Sequence, residues 1–489
     1  MRMLFDAIRQ NAASAGDAVA VGDGRETLTR RDLLCRIAGL AGTLPPQARV
    51  VGLFAANGVD WAVAQLACAL AGKIVVPLPT FFSPAQLGHI ARDSGVELIL
   101  ATPATAPCAS PSGAAVRLIE PSRANGETAE PAAGFGQIVY TSGTTGQPKG
   151  VRHESGQIVW SAKALAAATG ARESDVYLSV LPLPLLLETI CAVFAPALVG
   201  ARVHFETGLA EAVGRGEAAG LADAFEAQRP TTSVLVPELL KSWVGELAQS
   251  GRRAPPSLRF VAIGGAPVPA QAAEAAWRLG IPAYEGYGLS ECCSVVAVNR
   301  IGERRAGAVG RPLDGLAVSI DAGEIVVDGP TVTDGYLGQA PAKRPWRTGD
   351  LGAIDDDGFL RVLGRKDNVL VTAFGRNVCP EWIETMLLGD PRVAFCAVVG
   401  HGEARLTALL VPSRPGAEWF ARATPDDLDD FVRRCCAGAP DYARPRATTV
   451  VSLADALQRE LLTANGRIRR RQAAEFVKAA SARILAPSP

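Results

Sequence analysis

Lysine is scarce in this sequence. Only seven of its 49 basic residues are lysines, at 73, 149, 163, 241, 343, 366 and 478, and the other 42 are arginines. Coding bias accounts for such a skew, but it matters wherever a site needs one of the two, because a point-charge ammonium and a planar guanidinium are not interchangeable. Net charge is also absent: 49 acidic residues balance the 49 basic ones. That excludes a nucleic-acid or anionic-membrane role driven by bulk charge. The ten cysteines form no Cys-x-x-Cys pair and no Cys/His cluster with zinc spacing. A chain of 489 residues needs no disulfide staples, so buried free thiols in a reducing cytoplasm are expected. No internal repeat is visible. Asp6 and Arg9 interrupt the apolar start and break any signal-peptide core. The apolar stretch 180–201 is cut by Pro182, Pro184 and Pro196 and carries Glu188, which excludes a transmembrane segment. It reads as a buried strand end, a loop and a core helix.

What is present is core-forming material. Hydrophobic residues make up 48% and charged residues 20%, which fits a well-buried globular protein too long for one simple core. Short apolar strands at 50–55, 74–76 and 97–100 alternate with helices at 30–42 and 61–71. Thr29 followed by Asp32 forms a capping signal for the first of these helices. The pattern predicts an α/β fold of layered, mainly parallel sheets. Proline-rich 102–134 reads as an exposed connection. Strands at 137–140, 202–205, 233–236 and 258–263 form a second series. Helices thin out after Ile301, so 301–363 is expected to be a small β-rich subdomain. The polar turn 364–368 divides a large N-terminal domain, 1–366, from a small α/β C-terminal domain, 367–489.

Several motifs carry chemistry. In Tyr140-Thr-Ser-Gly-Thr-Thr-Gly-Gln-Pro-Lys-Gly150, a strand enters a loop of glycines and hydroxyls. Backbone N–H groups of such a loop can wrap phosphate oxygens, and Lys149 adds a point charge. Gly264-Gly-Ala-Pro267 is a small-residue turn after a strand. Gly286-Tyr-Gly-Leu-Ser-Glu291 offers an aromatic face, a hydroxyl and a carboxylate. Trp346-Arg-Thr-Gly-Asp350, Gly364-Arg-Lys-Asp367 and Gly375-Arg-Asn-Val-Cys-Pro-Glu-Trp-Ile-Glu384 follow.

These blocks, in this order over essentially the whole chain, resemble the adenylate-forming superfamily. It comprises acyl- and aryl-CoA synthetases, amino-acid adenylation domains and luciferases, and the closest likeness is to the acyl-CoA synthetases. The ten residues 141–150 match its phosphate loop. The resemblance implies an ATP-dependent acid–thiol ligase that makes an acyl-AMP and passes the acyl group to CoA. It implies that Thr141, Ser142, Gly143, Thr144, Thr145, Gly146 and Lys149 hold the phosphates of ATP. Gly264, Gly265, Ala266 and Tyr287 would line the adenine. Ser290 would bond a phosphate or the acid, and Glu291 would hold Mg²⁺. Asp350 would bond the ribose and Arg365 the ribose or a phosphate. Asp367 would be the hinge of a mobile C-terminal domain. Gly375 would face the pantetheine arm of CoA, or phosphopantetheine on a carrier protein. Cys379 lies in that loop as a spacer.

Two positions depart from the family pattern. Arg467 stands where the family has its adenylating lysine, in Leu462-Thr-Ala-Asn-Gly-Arg-Ile-Arg469. Either Arg467 performs the lysine's work, which its retained charge favours, or the first half-reaction is impaired. Leu185 stands where many relatives have a histidine, while Glu188 matches. The lost polar ring, and the lack of an aspartate for an α-ammonium, point to a fatty or aromatic acid. Two rival readings stay open: loading of an acyl carrier protein, and a non-catalytic nucleotide or acyl-adenylate binder. The basic cluster Arg467, Arg469, Arg470 and Arg471 suits either a nucleotide phosphate of CoA or an acidic carrier surface, or is a solvated face on a terminal element.

Overall fold

The computed structural model describes residues 1–109, 113–120, 130–141, 148–217, 219–462 and 468–485. Two large sheets share the N-terminal part. The first has six strands in the order 115–118, 98–101, 50–54, 74–77, 136–141 and 149–154, and only the last pair is antiparallel. The second has nine. Its parallel centre runs from Ala283–Leu289 through Phe260–Ile263, Thr232–Leu235, Val176–Ser179 and Arg202–Phe205 to Val19–Gly22. Antiparallel strands close both edges of this sheet. Helix Val59–Leu70 buries every residue but Asp60. A helix apolar all round has to lie in a core, and this one joins the cluster that contains side chains of both sheets.

Local signals set the ends of these elements. The Thr29 side chain accepts from the Asp32 N–H at 3.1 Å and opens helix Arg30–Thr43. Ser83 and Gln86 form a reciprocal cap on Pro84–Ser94, and Gly95, with φ +68°, closes it.

Two readings of the sequence need correction. The stretch 102–134 is not only a connection. Its residues Ala115–Leu118 pair parallel with Leu98–Ala101 as the edge strand of the first sheet. An edge strand needs one ladder only, so a half-exposed segment flanked by prolines can serve. In 180–201 the strand has already ended at Ser179. Helical backbone runs from Leu186 to Val199, with a wider turn over Ile190–Phe194. Pro196 has no N–H to donate to the turn before it, which is where such a widening is tolerated.

The β-rich subdomain is a four-stranded antiparallel meander: Ala317–Asp321, Glu324–Asp328, Trp346–Ile354 and Leu360–Arg365. The smaller C-terminal part carries a hairpin, Leu370–Val371 with Asn377–Val378, and a sheet of Val393–Val399, Thr407–Pro412 and Ala447–Val450. Helices Pro380–Leu388, Pro425–Cys435 and Arg470–Leu485 accompany this sheet. Phe420 and Phe431 on one side, and Leu409 and Ala473 on the other, form cores separate from the large one.

His153, in the strand after the phosphate loop, is fully buried, and neither ring nitrogen finds a partner among the described residues. Burial pushes its pKa down to about 4 from 6.5. The unfolded chain therefore binds a proton that the fold refuses, and stability falls as pH drops from 6.5 towards 4, by roughly 3 kcal/mol from this group alone. Denaturant unfolding of the wild type against His153→Leu, at pH 7 and at pH 4.5, should show a smaller acid loss in the variant.

Candidate active site

The site forms where the second sheet, the meander and the start of the C-terminal part meet. Strand Ala283–Leu289 runs into a tight turn at Ser290–Cys292 and returns as Ser294–Val298. The return passes so close that a Cβ on Gly288 would lie 1.8 Å from the Ser294 oxygen. No other residue type fits there. Cys293 and Ser294 take φ values of +52° and +88°, a strained pair directly behind Glu291.

Asp350 and Arg365 are register partners on neighbouring meander strands. The Arg365 guanidinium donates to Asp350 Oδ1 at 2.9 Å, and the Tyr287 hydroxyl donates to Oδ2 at 2.6 Å. Burial, and then the Asp350 charge, push the Tyr287 phenol well up, so it remains a donor. Thus Tyr287, Asp350 and Arg365, read from three separate motifs, form one chain of contacts.

Glu291 is held differently. The Tyr336 hydroxyl donates to its Oε1 at 2.6 Å, and the Thr333 N–H donates to its carbonyl at 2.8 Å. The ammonium of Lys149 stands 5.3 Å from the centre of the Tyr336 ring. None of the sequence motifs marks Tyr336. Its one local signal is the turn Asp334-Gly335 before it, where Gly335 takes φ +127°. A cavity of about 380 Å³ is lined by Glu291, Tyr336, Trp346, Arg365, Lys366 and Asp367, among others.

The segment around Asp367 is clamped on both sides. Lys366 Nζ donates to the buried Glu324 at 3.0 Å. Burial pushes the Glu324 carboxyl up, but Lys366, the Gly349 N–H and Arg347 outweigh it and hold it below the ordinary range. On the far side, Asn368 donates to Glu381 of helix Pro380–Leu388. Cys379 lies against Gly364, and burial, then Glu381, raise its thiol pKa. This suits a spacer, since the thiolate is the nucleophilic form.

Ser142, Gly143, Thr144, Thr145, Gly146 and Arg467 lie outside the described residues. Thr141 ends one strand and Lys149 opens the next, and the two are register partners, so the loop's ends are adjacent. Gly264, Gly265 and Ala266 form a turn after Phe260–Ile263 in which Gly265 takes φ +84°. A Cβ on Gly264 would stand 3.6 Å from the Gly286 oxygen, so the turn looks across at the Tyr287 strand. Ser290 opens the turn that carries Glu291. Gly375, with φ +71°, sits at the turn of the Leu370–Val378 hairpin with open space where a side chain would be. Leu185 is 40% exposed, whereas Glu188 is fully buried. The Tyr177 hydroxyl donates to Glu188, and burial raises the acid's pKa to about 8, so it is mostly protonated at neutral pH.

The basic cluster 467–471 needs correction. Arg470 turns inward and grips Glu384 at 2.6 and 2.8 Å and Glu381 at 3.3 Å. Glu384 also accepts from the Val398 N–H at 2.7 Å. Arg471 pairs with Glu475, and Arg469 lies 3.9 Å from Glu460. A nearly buried carboxylate at 384 draws the adjacent arginine in, so the run is not a uniform cationic face.

The arrangement suits a magnesium nucleotide. Among the described residues no three His, Cys, Asp or Glu side chains cluster as a metal cage. Mg²⁺ bound with a nucleotide takes one or two carboxylates and completes its shell with phosphates and water. Glu291 matches that, since Tyr336 occupies only one of its oxygens.

A model of the AMP-binding enzyme family matches residues 8–337, and a model of the AMP-binding enzyme C-terminal domain matches residues 367–480. The chain belongs to the AMP-binding enzyme family. A 2-succinylbenzoate–CoA ligase of Geobacillus kaustophilus is 30% identical over 425 residues, covering 80% of this chain and 84% of that one. The corresponding ligase of Bacillus licheniformis is 30% identical over 318 residues, covering 61% of this chain and 63% of its own length. The solved o-succinylbenzoate CoA synthetase of Bacillus subtilis, in complex with ATP and magnesium ion, shares the fold. Its TM-score is 0.78 at 24% identity, with 95% of this chain and 98% of that chain covered. The α/β architecture with large and smaller domains, expected from the sequence, is the architecture of this AMP-binding enzyme.

The Arg470–Glu384 contact yields a test. Arg470→Met leaves a buried carboxylate without its partner and should cost about 3 kcal/mol. Hydrogen exchange of helix 380–388 should accelerate while strands 50–54 and 74–77 keep their protection.

Proposed function

We propose that this protein is an AMP-forming acid–thiol ligase. A carboxylic acid attacks the α-phosphorus of ATP, pyrophosphate leaves, and a thiol then displaces AMP from the acyl-adenylate. The observation that carries this reading is the convergence of Glu291, Trp346, Arg365 and Asp367, from three separate motifs, around one cavity of about 380 Å³, with Asp350 bonded to Arg365 beside it.

The residues divide the work. Asp350, fixed by Tyr287 and Arg365, presents a carboxylate suited to ribose hydroxyls. Lys149 and the loop amides neutralise polyphosphate, and Arg467 supports the α-phosphate. Glu291 is the carboxylate that would hold Mg²⁺, which would supply neutralisation of phosphate charge. Gly264, Gly265 and Ala266 keep the floor beside Tyr287 low enough for a flat base. Catalysis is then mainly positioning and charge neutralisation. The C-terminal domain, from Asp367 onward, pivots between half-reactions and brings the Gly375 loop to the site. The clamps on Lys366 and Asn368 support a pivot between them.

CoA is the acceptor of this reading. The CoA ligases among its relatives support this choice. The acid is fatty or aromatic: Leu185 brings apolar surface, and the relatives act on succinylbenzoate, an aryl acid. The protein works in the cytoplasm, where its ten free cysteines stay reduced. No helix among the described residues is long and apolar enough to cross a membrane.

ATP–pyrophosphate exchange across a panel of fatty, aryl and amino acids tests the activity. Exchange with a fatty or aryl acid is expected, and ATP binding without exchange for any acid would establish the non-catalytic reading instead. Arg467→Lys should match or exceed the wild-type exchange rate, whereas abolished exchange would mean an arginine-specific role. Asp367→Pro should slow thioester formation while acyl-AMP formation stays measurable. If both half-reactions fell together, the pivot would be refuted.

A further inference from the structure

Tyr336 stands between the two opposite charges of the site and touches each with a different part of its side chain. The hydroxyl donates to Glu291 Oε1 at 2.6 Å. The ring face receives the Lys149 ammonium at 5.3 Å. Among the described residues Lys149 makes no ion pair. The ring cannot swing away easily. Its backbone bridges Val151, the following Leu337 N–H donates to the Gly150 carbonyl at 2.8 Å, and the Trp346 ring meets it edge-on at 6.1 Å. Burial, and then the bond to Glu291, push its phenol pKa up, so the hydroxyl keeps the proton it donates.

A flexible ammonium and a carboxylate that both contact one phenol are candidates for a direct ion pair. Such a pair is weak where it is exposed, yet it would occupy both groups with each other. A phenol between them removes the incentive without removing either charge. The carboxylate is satisfied by a neutral donor, and the ammonium by the negative face of an uncharged ring.

We propose that Tyr336 is a positioning residue that keeps Lys149 and Glu291 from pairing and reserves their charges for the polyphosphate and its cation. The reservation rests on the ligase reading, but the separation does not, and the two can be tested apart.

The separation is read in the protein without nucleotide. Lys149→Met, Glu291→Gln and the double variant are unfolded by denaturant, first with Tyr336 present and then with Tyr336→Ala. With the tyrosine the two substitutions should be additive. Without it they should become non-additive, and the coupling should vanish at high salt, as for an exposed ion pair. Tyr336→Leu repeats the cycle if the alanine variant does not fold. Additivity in both backgrounds overturns the proposal.

The reservation is read in pyrophosphate exchange. Tyr336→Ala should raise the KM for ATP by about 2–5-fold, the worth of one cation–π contact, with kcat changed less. Tyr336→Phe, which keeps the ring, should recover most of that KM. Equal KM values for the Phe and Ala variants overturn the ring's part in it. Absence of exchange with every acid would refute the ligase reading and leave the unfolding cycle to decide the separation.

Discussion

The Asp350 carboxylate is the point on which the site's geometry depends. It is nearly buried, and each oxygen is committed, one to Arg365 and one to Tyr287. Those partners come from different sheets, so one acidic side chain ties the meander to strand Ala283–Leu289 of the nine-stranded sheet. Charge-assisted hydrogen bonds are directional and stronger than neutral ones. They set the meander's position over Glu291 and, through Arg365, the place where the chain leaves for the C-terminal part. The strained turn at Cys293 and Ser294 and the close approach at Gly288 flank Glu291 beside this junction.

Electrostatics throughout the chain follow one arrangement. Carboxylates that are buried find guanidinium or ammonium partners, as Glu324 does with Arg347 and Lys366, and Glu384 with Arg470. Where no cation is near, as at Glu188, burial raises the pKa and the group rests against a phenol, mostly protonated at neutral pH. Arginine takes the forked contacts. Two of the seven lysines border the site, Lys149 over the Tyr336 ring and Lys366 on Glu324.

The α/β layering was legible because period and punctuation agree: Thr29 caps its helix, and the strand 202–205 has the bounds read from the sequence. The edge strand of the first sheet was not legible. Residues 115–118 resemble a loop because an edge strand is half exposed and flanked by prolines. The site was legible where a motif is contiguous, as in 286–291 and 346–351. Tyr336 and Glu324 were not, since each gains its role only through long-range packing onto Glu291 and Lys366. Arg470 was misread as a surface cation because its partners lie more than 80 residues away. Charge on a helix is visible in sequence, but the direction it faces is set by a distant carboxylate.

The clamps around Asp367 have a mechanical consequence. In the proposed mechanism the pivot lies between Lys366, seated on Glu324, and Asn368, seated on Glu381, so the torsions that turn one part against the other are a few consecutive backbone angles. A joint of so few degrees of freedom allows an arc but no tumbling. In the proposed mechanism, surfaces carried on that arc cannot share the cavity mouth at one moment, so occupancy by one excludes the other. The order of two chemical steps would then follow from steric exclusion at a single seat, with no separate signal to time them.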